Sequence, residues 1–333
     1  MVSKLIERMV AGDRRALARL FTVLERGGEA ASAVTRAVHP LRGEAYCVGI
    51  TGPPGAGKST IVDGLVRAWR DEGATVGVLA VDPTSHFTGG AVLGDRIRMQ
   101  RHYLDEGVFI RSLATRGAHG GLSRVARMSV RLLDASGRDV VIVETVGVGQ
   151  TELDIMRVAD TVVVTLVPEA GDAIQAMKAG LTEIADIFVV NKADRDGADR
   201  LVADLRAMIR LGGRGSWWEP PVLLTRANKG EGIAELHIRV ADHRRAMEQG
   251  DHLSERRRLR QRREFVQTLE EALEAGVASL LLQDGPIGSM VGRVEKDEVD
   301  PHSAAAEVLG DARLLEQLAA ALRRQTAGEA QPD

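Results

Sequence analysis

The stretch Gly52-Pro53-Pro54-Gly55-Ala56-Gly57-Lys58-Ser59 matches the phosphate-binding pattern G-x-x-x-x-G-K-[ST] at every position. It follows an apolar run and opens a helical one, which is the context that the pattern requires. Its glycines let backbone N–H groups surround phosphate oxygens at a helix N-terminus, and an ordinary glycine-rich turn is the less favoured alternative. We expect Lys58 to neutralise the β- and γ-phosphates and the Ser59 hydroxyl to bind Mg²⁺. The expected nucleotide contacts are Gly52, Pro53, Pro54, Gly55, Ala56, Gly57, Lys58, Ser59 and Thr60.

Seven short β-branched runs predict the sheet around this loop. They are nearly continuous in apolar character, which is typical of parallel strands buried on both faces. Helical runs alternate with them, so the predicted fold class is α/β with a doubly wound, mostly parallel sheet. The predicted strands are Tyr46–Ile50, Thr75–Val81, Val108–Arg111, Asp139–Val143, Thr161–Val167, Ile187–Val190 and Val222–Leu224. The predicted helices between them are Ser59–Glu72, Gly120–Ala135, Asp172–Ile184 and Ala198–Leu211.

Helical segments flank this core at both ends of the chain. Ser3–Glu25 is predicted as one amphipathic helix, and Ser254–Leu282 as a long helix with an apolar stripe. Asp300-Pro301 is typical of an N-cap followed by proline at the first helical position. We therefore predict an N-terminal helical extension (1–42), a P-loop domain (43–246), a C-terminal helical region (247–326) and a frayed tail (327–333).

A second motif, Asn191-Lys192-Ala193-Asp194, lies at the carboxyl end of a predicted strand, where ligands bind in such sheets. An aspartate carboxylate can accept hydrogen bonds from N1 and the 2-amino group of guanine, which adenine does not offer. Asn191 can meet the other edge of the base, and the Lys192 stem can cover its face. The motif therefore favours GTP over ATP. A loop that closes over guanine is expected at Thr225, Arg226 and Ala227.

Two acidic residues, Asp82 and Glu144, end separate strands and can face the magnesium ion of the phosphate loop. Glu144-Thr145-Val146-Gly147 resembles the D-x-x-G element of GTPases, in which the Gly147 N–H senses the γ-phosphate. Asp95, in the irregular stretch 84–99, is either another carboxylate of this site or a helix cap. Val148 stands where a water-positioning glutamine is common, so hydrolysis is expected to be slow or to need a partner.

Composition limits the other classes of function. Lys plus Arg number 44 against 47 Asp plus Glu, which gives no general attraction to nucleic acid or to anionic membranes. The basic run Arg256–Arg263 is interpreted as a solvated or subunit-facing helix, and Trp217-Trp218 as loop packing. A single cysteine excludes an intramolecular disulfide. No apolar run approaches the length of a membrane span, so a cytoplasmic location is expected.

Several runs in this order resemble the MeaB/ArgK family, the methylmalonyl-CoA mutase-associated GTPases. The resemblance covers nearly the whole chain. It rests on Val81–Ser85, Thr88–Gly90, Gly94–Met99, Glu144–Gln150, Asn191–Asp194 and Asp300–Ala305.

This resemblance implies a GTP-hydrolysing chaperone of an adenosylcobalamin-dependent acyl-CoA mutase, which gates delivery of the cofactor and protects or reactivates the mutase. It implies Mg²⁺ and GTP or GDP as ligands, and a homodimer formed by the C-terminal helices. It assigns Lys58, Asp82, Asp95 and Glu144 to catalysis and Ser59, Asp82, Asp95 and Glu144 to Mg²⁺. It assigns switch roles to Gly147, Gln150, Glu169, Asp172, Gln175 and Lys178, although Glu169 stands where a small residue is expected.

Two other functions remain open from the sequence. The P-loop also permits transfer of the γ-phosphate to a protein or small acceptor, as the older kinase description of the family supposes. A metal-insertion GTPase of similar fold is the second alternative, although one cysteine and unclustered histidines count against it.

Overall fold

Seven parallel strands form one sheet in the computed structural model, which describes residues 1–41, 43–83, 100–115, 124–145, 154–170, 184–211, 217–281 and 285–328. Their order is β3-β2-β4-β1-β5-β6-β7, and every neighbouring pair is parallel. The predicted α/β fold is therefore confirmed. The strands are β1 (Tyr46–Thr51), β2 (Val76–Pro83), β3 (Val108–Thr115), β4 (Val140–Thr145), β5 (Thr161–Leu166), β6 (Ile187–Asn191) and β7 (Val222–Thr225).

The helices of the described residues fall into two compact units, Met1–Arg257 and Arg258–Asp333. The predicted helix Asp172–Ile184 lies outside the described residues up to position 183. In the first unit the helices are α1 (Val2–Val10), α2 (Arg14–Arg26), α3 (Gly28–Val38), α4 (Lys58–Asp71), α5 (Arg124–Ala135), α6 (Ala198–Leu211) and α7 (Ile233–Gln249). Helix α8 (His252–Leu281) begins in this unit and continues into the second, which also holds α9 (Pro286–Glu295), α10 (Pro301–Gly310) and α11 (Ala312–Gly328).

The predicted helix Ser3–Glu25 is wrong as a single element, because the chain forms α1 and α2 with a break between them. Asp13 starts α2 as its N-cap, and its carboxylate accepts hydrogen bonds from the N–H groups of Arg15 and Ala16. The apolar spacing alone could not show this break, since both helices bury leucines on the same core.

The N-terminal helices cover the edge strand β3. The rings of Phe21 and Phe109 stack with centroids 5.3 Å apart, and Arg111 pairs with Glu25 at 2.5 Å. Arg14 donates to the Val108 carbonyl at 2.7 Å. These contacts fix helix α2 against the edge strand of the sheet.

Successive residues of each strand alternate between two apolar cores. One core holds α2, α3, α5 and α6 against one face of the sheet, and the other holds α4 and α7 against the opposite face. In β1, Cys47 belongs to the first core, whereas Val48 and Ile50 belong to the second. Burial on both faces explains why the strands are apolar at nearly every position.

The second unit has a small core of its own, formed by Leu280, Ile287, Leu314 and Ala321. Helix α10 begins as predicted at Asp300, whose carboxylate accepts from the N–H groups of His302 and Ser303, with Pro301 at the first helical position. No helix in the described part of the chain has the length and apolar character needed to cross a membrane.

Two buried aspartates at the amino ends of β5 and β6 bind the first turns of α8. Arg256 donates to both carboxylate oxygens of Asp186, at 2.9 and 3.0 Å. Arg257 donates to Asp160 at 2.7 and 3.2 Å. The Asp160 carboxylate also accepts from the Cys47 N–H at 3.0 Å. These two arginines are therefore internal anchors of the first unit, and their interpretation as solvated or subunit-facing residues is wrong.

His243 of α7 lies within the same basal network, which we define as Tyr46, Asp160, Thr161, Asp186, His243, Arg256 and Arg257. Its ring is fully buried, with Nδ1 2.8 Å from Thr161 Oγ1 and Nε2 3.5 Å from Asp186 Oδ1. Burial lowers the pKa of His243 to about 4, although the negative charges of Asp186 and Asp160 oppose that shift and Arg256 adds to it. Trp217 and Trp218 pack against the ring, in line with their interpretation as packing residues.

The depressed pKa of His243 predicts an acid-sensitive fold. Between pH 6.5 and pH 4 the imidazole of His243 is protonated in the unfolded chain and neutral in the folded chain. The contribution of His243 to the free energy of unfolding is therefore fully present above pH 6.5 and is lost as the pH falls toward 4. We expect the unfolding free energy of the wild type to fall by up to about 1.4 kcal/mol per pH unit more steeply than that of His243→Gln. Urea unfolding followed by circular dichroism between pH 7 and pH 5 measures this difference.

His39→Gln is the matched control, because His39 is exposed on the surface. It should retain the wild-type slope. Equal slopes for the wild type and His243→Gln would contradict the assignment of acid sensitivity to His243.

Candidate nucleotide-binding site

The phosphate loop joins β1 to α4, and two of its glycines are required by close contacts. Gly52 has a φ of 139°, and a Cβ at this position would lie 1.9 Å from the Thr165 carbonyl oxygen. Gly57 has a φ of 87°, and its Cβ would lie 2.3 Å from the Asn191 side-chain nitrogen. Both contacts are shorter than any side chain tolerates, so the loop keeps its position against β5 and β6 only with glycine here.

Lys58 is the first residue of α4, and its side chain is folded into the phosphate loop. Its Nζ donates to the carbonyl oxygens of Gly52 and Pro53, at 2.7 and 3.0 Å. The residue is only 6% exposed. A buried ammonium is thereby held at the helix N-terminus, where both the charge and the backbone dipoles favour phosphate.

Ser59 and Glu144 meet beside the loop. The Ser59 hydroxyl donates to Glu144 Oε1 at 2.7 Å, and both residues are buried. A hydroxyl and a carboxylate oxygen are the hard donors that Mg²⁺ prefers, so these side chains fit the expected ion. They would hold it next to the terminal phosphates, where it would neutralise charge that develops during phosphoryl transfer.

Asn191 joins the phosphate loop to the closing loop. Its Nδ2 donates to the Ala56 carbonyl at 2.8 Å. Its Oδ1 accepts from the Thr225 hydroxyl at 3.0 Å and from the Ala227 N–H at 3.1 Å. The side chain is buried, so Asn191 fixes the relative position of these loops, a structural role that the sequence did not predict.

The residues after Asn191 form a tight turn. Lys192 has a φ of 57°, the left-handed region, and its carbonyl accepts from the Arg195 N–H at 3.0 Å. The Ala193 N–H donates to the Thr225 carbonyl at 3.1 Å. Asp194 therefore occupies the third position of a turn that is fastened to the end of β7, and its side chain is exposed.

The closing loop is held in a small antiparallel bridge. Arg226 and Glu231 exchange backbone hydrogen bonds at 3.0 and 3.3 Å, and their side chains form an ion pair. Thr225 and Ala227 are buried at the end of β7. The Arg226 side chain therefore binds the start of the closing loop to its end at Glu231.

The structure thus brings together most of the predicted site at the carboxyl edge of the sheet. The expected residues that lie there are the phosphate loop Gly52–Thr60, Glu144, Asn191, Lys192, Asp194, Thr225, Arg226 and Ala227. Asp82 lies near the end of β2, with only its backbone described. Asp95, Gly147, Gln150, Asp172, Gln175 and Lys178 lie outside the described residues.

Two residues at this edge were not predicted from the sequence. Arg195 follows Asp194 directly and pairs with Glu169, and Glu231 pairs with Arg226. Each follows a recognised motif within a few residues. The partner of Arg195 comes from another loop and leaves no signal in the local pattern.

Comparison with known proteins agrees with this geometry. The family model described as methylmalonyl Co-A mutase-associated GTPase MeaB matches residues 17–280. The chain belongs to the MeaB family. The chain is also similar to a protein of Pyrococcus abyssi described as a GTPase, with 51% identity over 312 residues that cover 93% of this chain and 96% of the relative.

Other MeaB relatives support the same activity and fold. GTPase ArgK of Escherichia coli is 38% identical over 251 residues, covering 73% of this chain and 76% of its own. The crystal structure of an LAO/AO transport system kinase superimposes with a TM-score of 0.69 at 28% identity, over 92% of this chain and 95% of that one. This MeaB protein is a GTPase, and the site described above is where its motifs converge.

The Ser59–Glu144 pair predicts the magnesium dependence of hydrolysis. Ser59→Ala removes one of the two oxygen donors that fit the ion, so the Mg²⁺ concentration for half-maximal GTP hydrolysis should rise about 10- to 100-fold. A magnesium titration of the hydrolysis rate measures this. Ser129→Ala is the matched control, since Ser129 is buried and its hydroxyl has no partner among the described groups. An unchanged titration for Ser59→Ala would contradict the assignment.

Proposed function

We propose that this GTPase is a chaperone of an adenosylcobalamin-dependent acyl-CoA mutase of the methylmalonyl-CoA mutase type. It gates delivery of the cofactor to the mutase and protects or reactivates that enzyme. The observation that carries the proposal is the match of the mutase-associated family model to residues 17–280. A mouse relative, named methylmalonic aciduria type A homolog, mitochondrial, is 36% identical over 253 residues, covering 71% of this chain and 61% of that protein.

In this proposal the phosphate loop binds the phosphates of GTP and GDP, and Lys58 exchanges its two carbonyl acceptors for phosphate oxygens. Ser59 and Glu144, together with Asp82 and Asp95, hold Mg²⁺ or a water bound to it. Lys58, Ser59 and Glu144 are buried, so the charges of Lys58 and Glu144 would act on the γ-phosphate at a lower dielectric than in water.

Guanine recognition is assigned to the turn after β6. The Asp194 carboxylate accepts from N1 and the 2-amino group, and the Lys192 stem covers one face of the base. Thr225, Arg226 and Ala227 close the pocket from the neighbouring strand end. Support for this arrangement comes from the Ala193–Thr225 hydrogen bond, which joins the two loops at 3.1 Å.

The proposed switch residues link the nucleotide state to the mutase. Gly147 and Gln150 follow Glu144 in the chain, and the segment from Glu169 to Lys178 follows β5. Strands β4 and β5, which these segments follow, lie on either side of β1 in the sheet, so loss of the γ-phosphate at the loop after β1 would be sensed at their ends. The assignment of switch roles to these residues rests on the resemblance of the sequence to the MeaB/ArgK family.

We also propose a homodimer formed through the second unit, in which the exposed face of α8 packs against a second copy of this chain. Leu259, Val266 and Leu273 repeat at intervals of seven residues along this helix and are 49%, 44% and 39% exposed. A repeated apolar seam of this spacing is suited to pairing with an equivalent helix. We also propose that the protein is cytoplasmic.

The guanine assignment predicts a change of base preference. Asp194→Asn replaces an acceptor by an amide that can donate to the C2 carbonyl of xanthine. We expect hydrolysis of GTP to weaken at least tenfold in kcat/KM and hydrolysis of xanthosine triphosphate to improve. Steady-state kinetics with both nucleotides and ATP measure this, with Asp199→Asn, an exposed aspartate on α6, as control. Unchanged preference would contradict the assignment of the base to Asp194.

The chaperone proposal predicts stimulation by a client enzyme. GTP hydrolysis by the purified protein should be slow alone and about tenfold or more faster with a cobalamin-dependent acyl-CoA mutase. Release of inorganic phosphate measures this, with ATP and an unrelated CoA-binding enzyme as controls. Absence of stimulation by every such mutase would contradict the chaperone role, and labelled phosphate on an acceptor would favour the phosphotransferase alternative.

The dimer proposal predicts the effect of a charge in the seam. Leu273→Glu places a carboxylate on the exposed face of α8 and should convert a dimer to a monomer in sedimentation equilibrium. Leu309→Glu is the matched control, because Leu309 is 64% exposed on α10. A wild-type monomer, or a dimer that survives Leu273→Glu, would contradict this interface.

A further inference from the structure

The loop after β5 and the loop after β6 touch at the carboxyl edge of the sheet. The strands are neighbours, with Leu166 paired to Val190, so the residues that follow them lie side by side. Arg195 donates from its guanidinium to the Glu169 carboxylate. Gly197 also lies beside Pro168: a Cβ at position 197 would be 3.8 Å from the Pro168 side chain, which is van der Waals distance.

This ion pair acts on the turn that carries Asp194. The Arg195 N–H closes that turn by donating to the Lys192 carbonyl at 3.0 Å. Arg195 is the next residue after Asp194, whose carboxylate we assign to guanine. A long arginine side chain with no other acceptor can reach a carboxylate on the adjacent residue, and charge-assisted pairs of this kind are strong.

The charges around the turn show that Arg195 pairs with the carboxylate of Glu169 and not with that of Asp194. Hydrogen bonding to Arg195, its positive charge and that of Lys192 hold the pKa of Glu169 below its usual range. Glu169 is therefore ionised at neutral pH and binds the guanidinium. Among the described residues, no hydrogen bond or ion pair is made to the Asp194 carboxylate, which is exposed.

We propose that Glu169 is a positioning residue for guanine recognition, which holds Arg195 away from Asp194 and so keeps that carboxylate available to the base. The inference rests on the proposed guanine site. It gives the residue a role within the nucleotide site that is separate from coupling to a mutase. It also explains why an acidic residue is useful where a small one was expected, since a small side chain offers Arg195 no acceptor.

The test compares binding of GDP and inosine diphosphate, which lacks the 2-amino group, to the full-length protein by calorimetry. Glu169→Ala should weaken GDP binding about three- to tenfold, because released Arg195 competes for Asp194. It should also reduce the preference for GDP over inosine diphosphate. The decisive variant is Glu169→Ala with Arg195→Ala, in which removal of the competitor should return the GDP affinity to within about twofold of wild type.

Glu248→Ala is the matched control, since Glu248 pairs with Arg244 on α7 and is 45% exposed, against 49% for Glu169. It should bind GDP as the wild type does. The inference is overturned if Glu169→Ala binds GDP with wild-type affinity, or if the double variant is as weak as Glu169→Ala. A wild type that binds ADP as tightly as GDP would instead overturn the proposed guanine site itself.

Discussion

The side-chain amide of Asn191 joins parts of the chain that are up to 135 residues apart in sequence. It binds the phosphate loop through the Ala56 carbonyl and the closing loop through Thr225 and Ala227. A buried amide must satisfy its donors and acceptors inside the protein, so these loops are fixed together or the group is left unpaired at a cost. The same side chain lies so close to Gly57 that no other residue fits there. The relative position of the phosphate loop and the closing loop therefore depends on the Asn191 side chain.

The two edges of the sheet perform different tasks for a physical reason. In a parallel sheet every strand ends at the same edge, so the carboxyl ends of β1, β4, β5, β6 and β7 lie at one edge and can build a site. The amino ends lie at the opposite edge, where the basal network binds Arg256 and Arg257 to two buried aspartates. Removing one partner from such a pair leaves a buried charge uncompensated, so this edge tolerates little movement.

The sequence predicted the sheet well because its physical signal is local. Strands buried on both faces need apolar residues at almost every position, and the seven runs have this pattern. The helix α9 gave no such signal, since Gly288 and Gly292 weaken its helical propensity. The break at Asp13 was missed because α1 and α2 face one core, so the apolar spacing continues across it.

Contacts between distant residues explain what the sequence could not predict at the site. The motifs placed Lys58, Ser59, Glu144 and Asp194 at the correct strand ends, because motif spacing and strand position are both local. Asn191 was expected to contact the base, which stays a prediction, and the three contacts that its side chain makes within the protein were not predicted. The internal role of Arg256 was missed for the same reason, since its partner Asp186 lies 70 residues earlier in the chain, whereas Arg258, Arg262 and Arg263 of the same basic run are exposed. Composition shows that a charge is present but not what neutralises it.

The site combines a fixed half with an adaptable half. On the guanine side, Asn191 and the Ala193–Thr225 hydrogen bond hold the base-binding loops before any ligand arrives, so little ordering is needed on binding. On the phosphate side, Lys58 is bound to two loop carbonyls and Ser59 to Glu144. Each of these hydrogen bonds must be exchanged when phosphate and Mg²⁺ bind. In the function that we propose, only the phosphate side would rearrange, so GTP and GDP would differ there and would keep the same base contacts. Under this proposal the protein would remain bound to guanine nucleotide through a full cycle and would change conformation with the γ-phosphate alone.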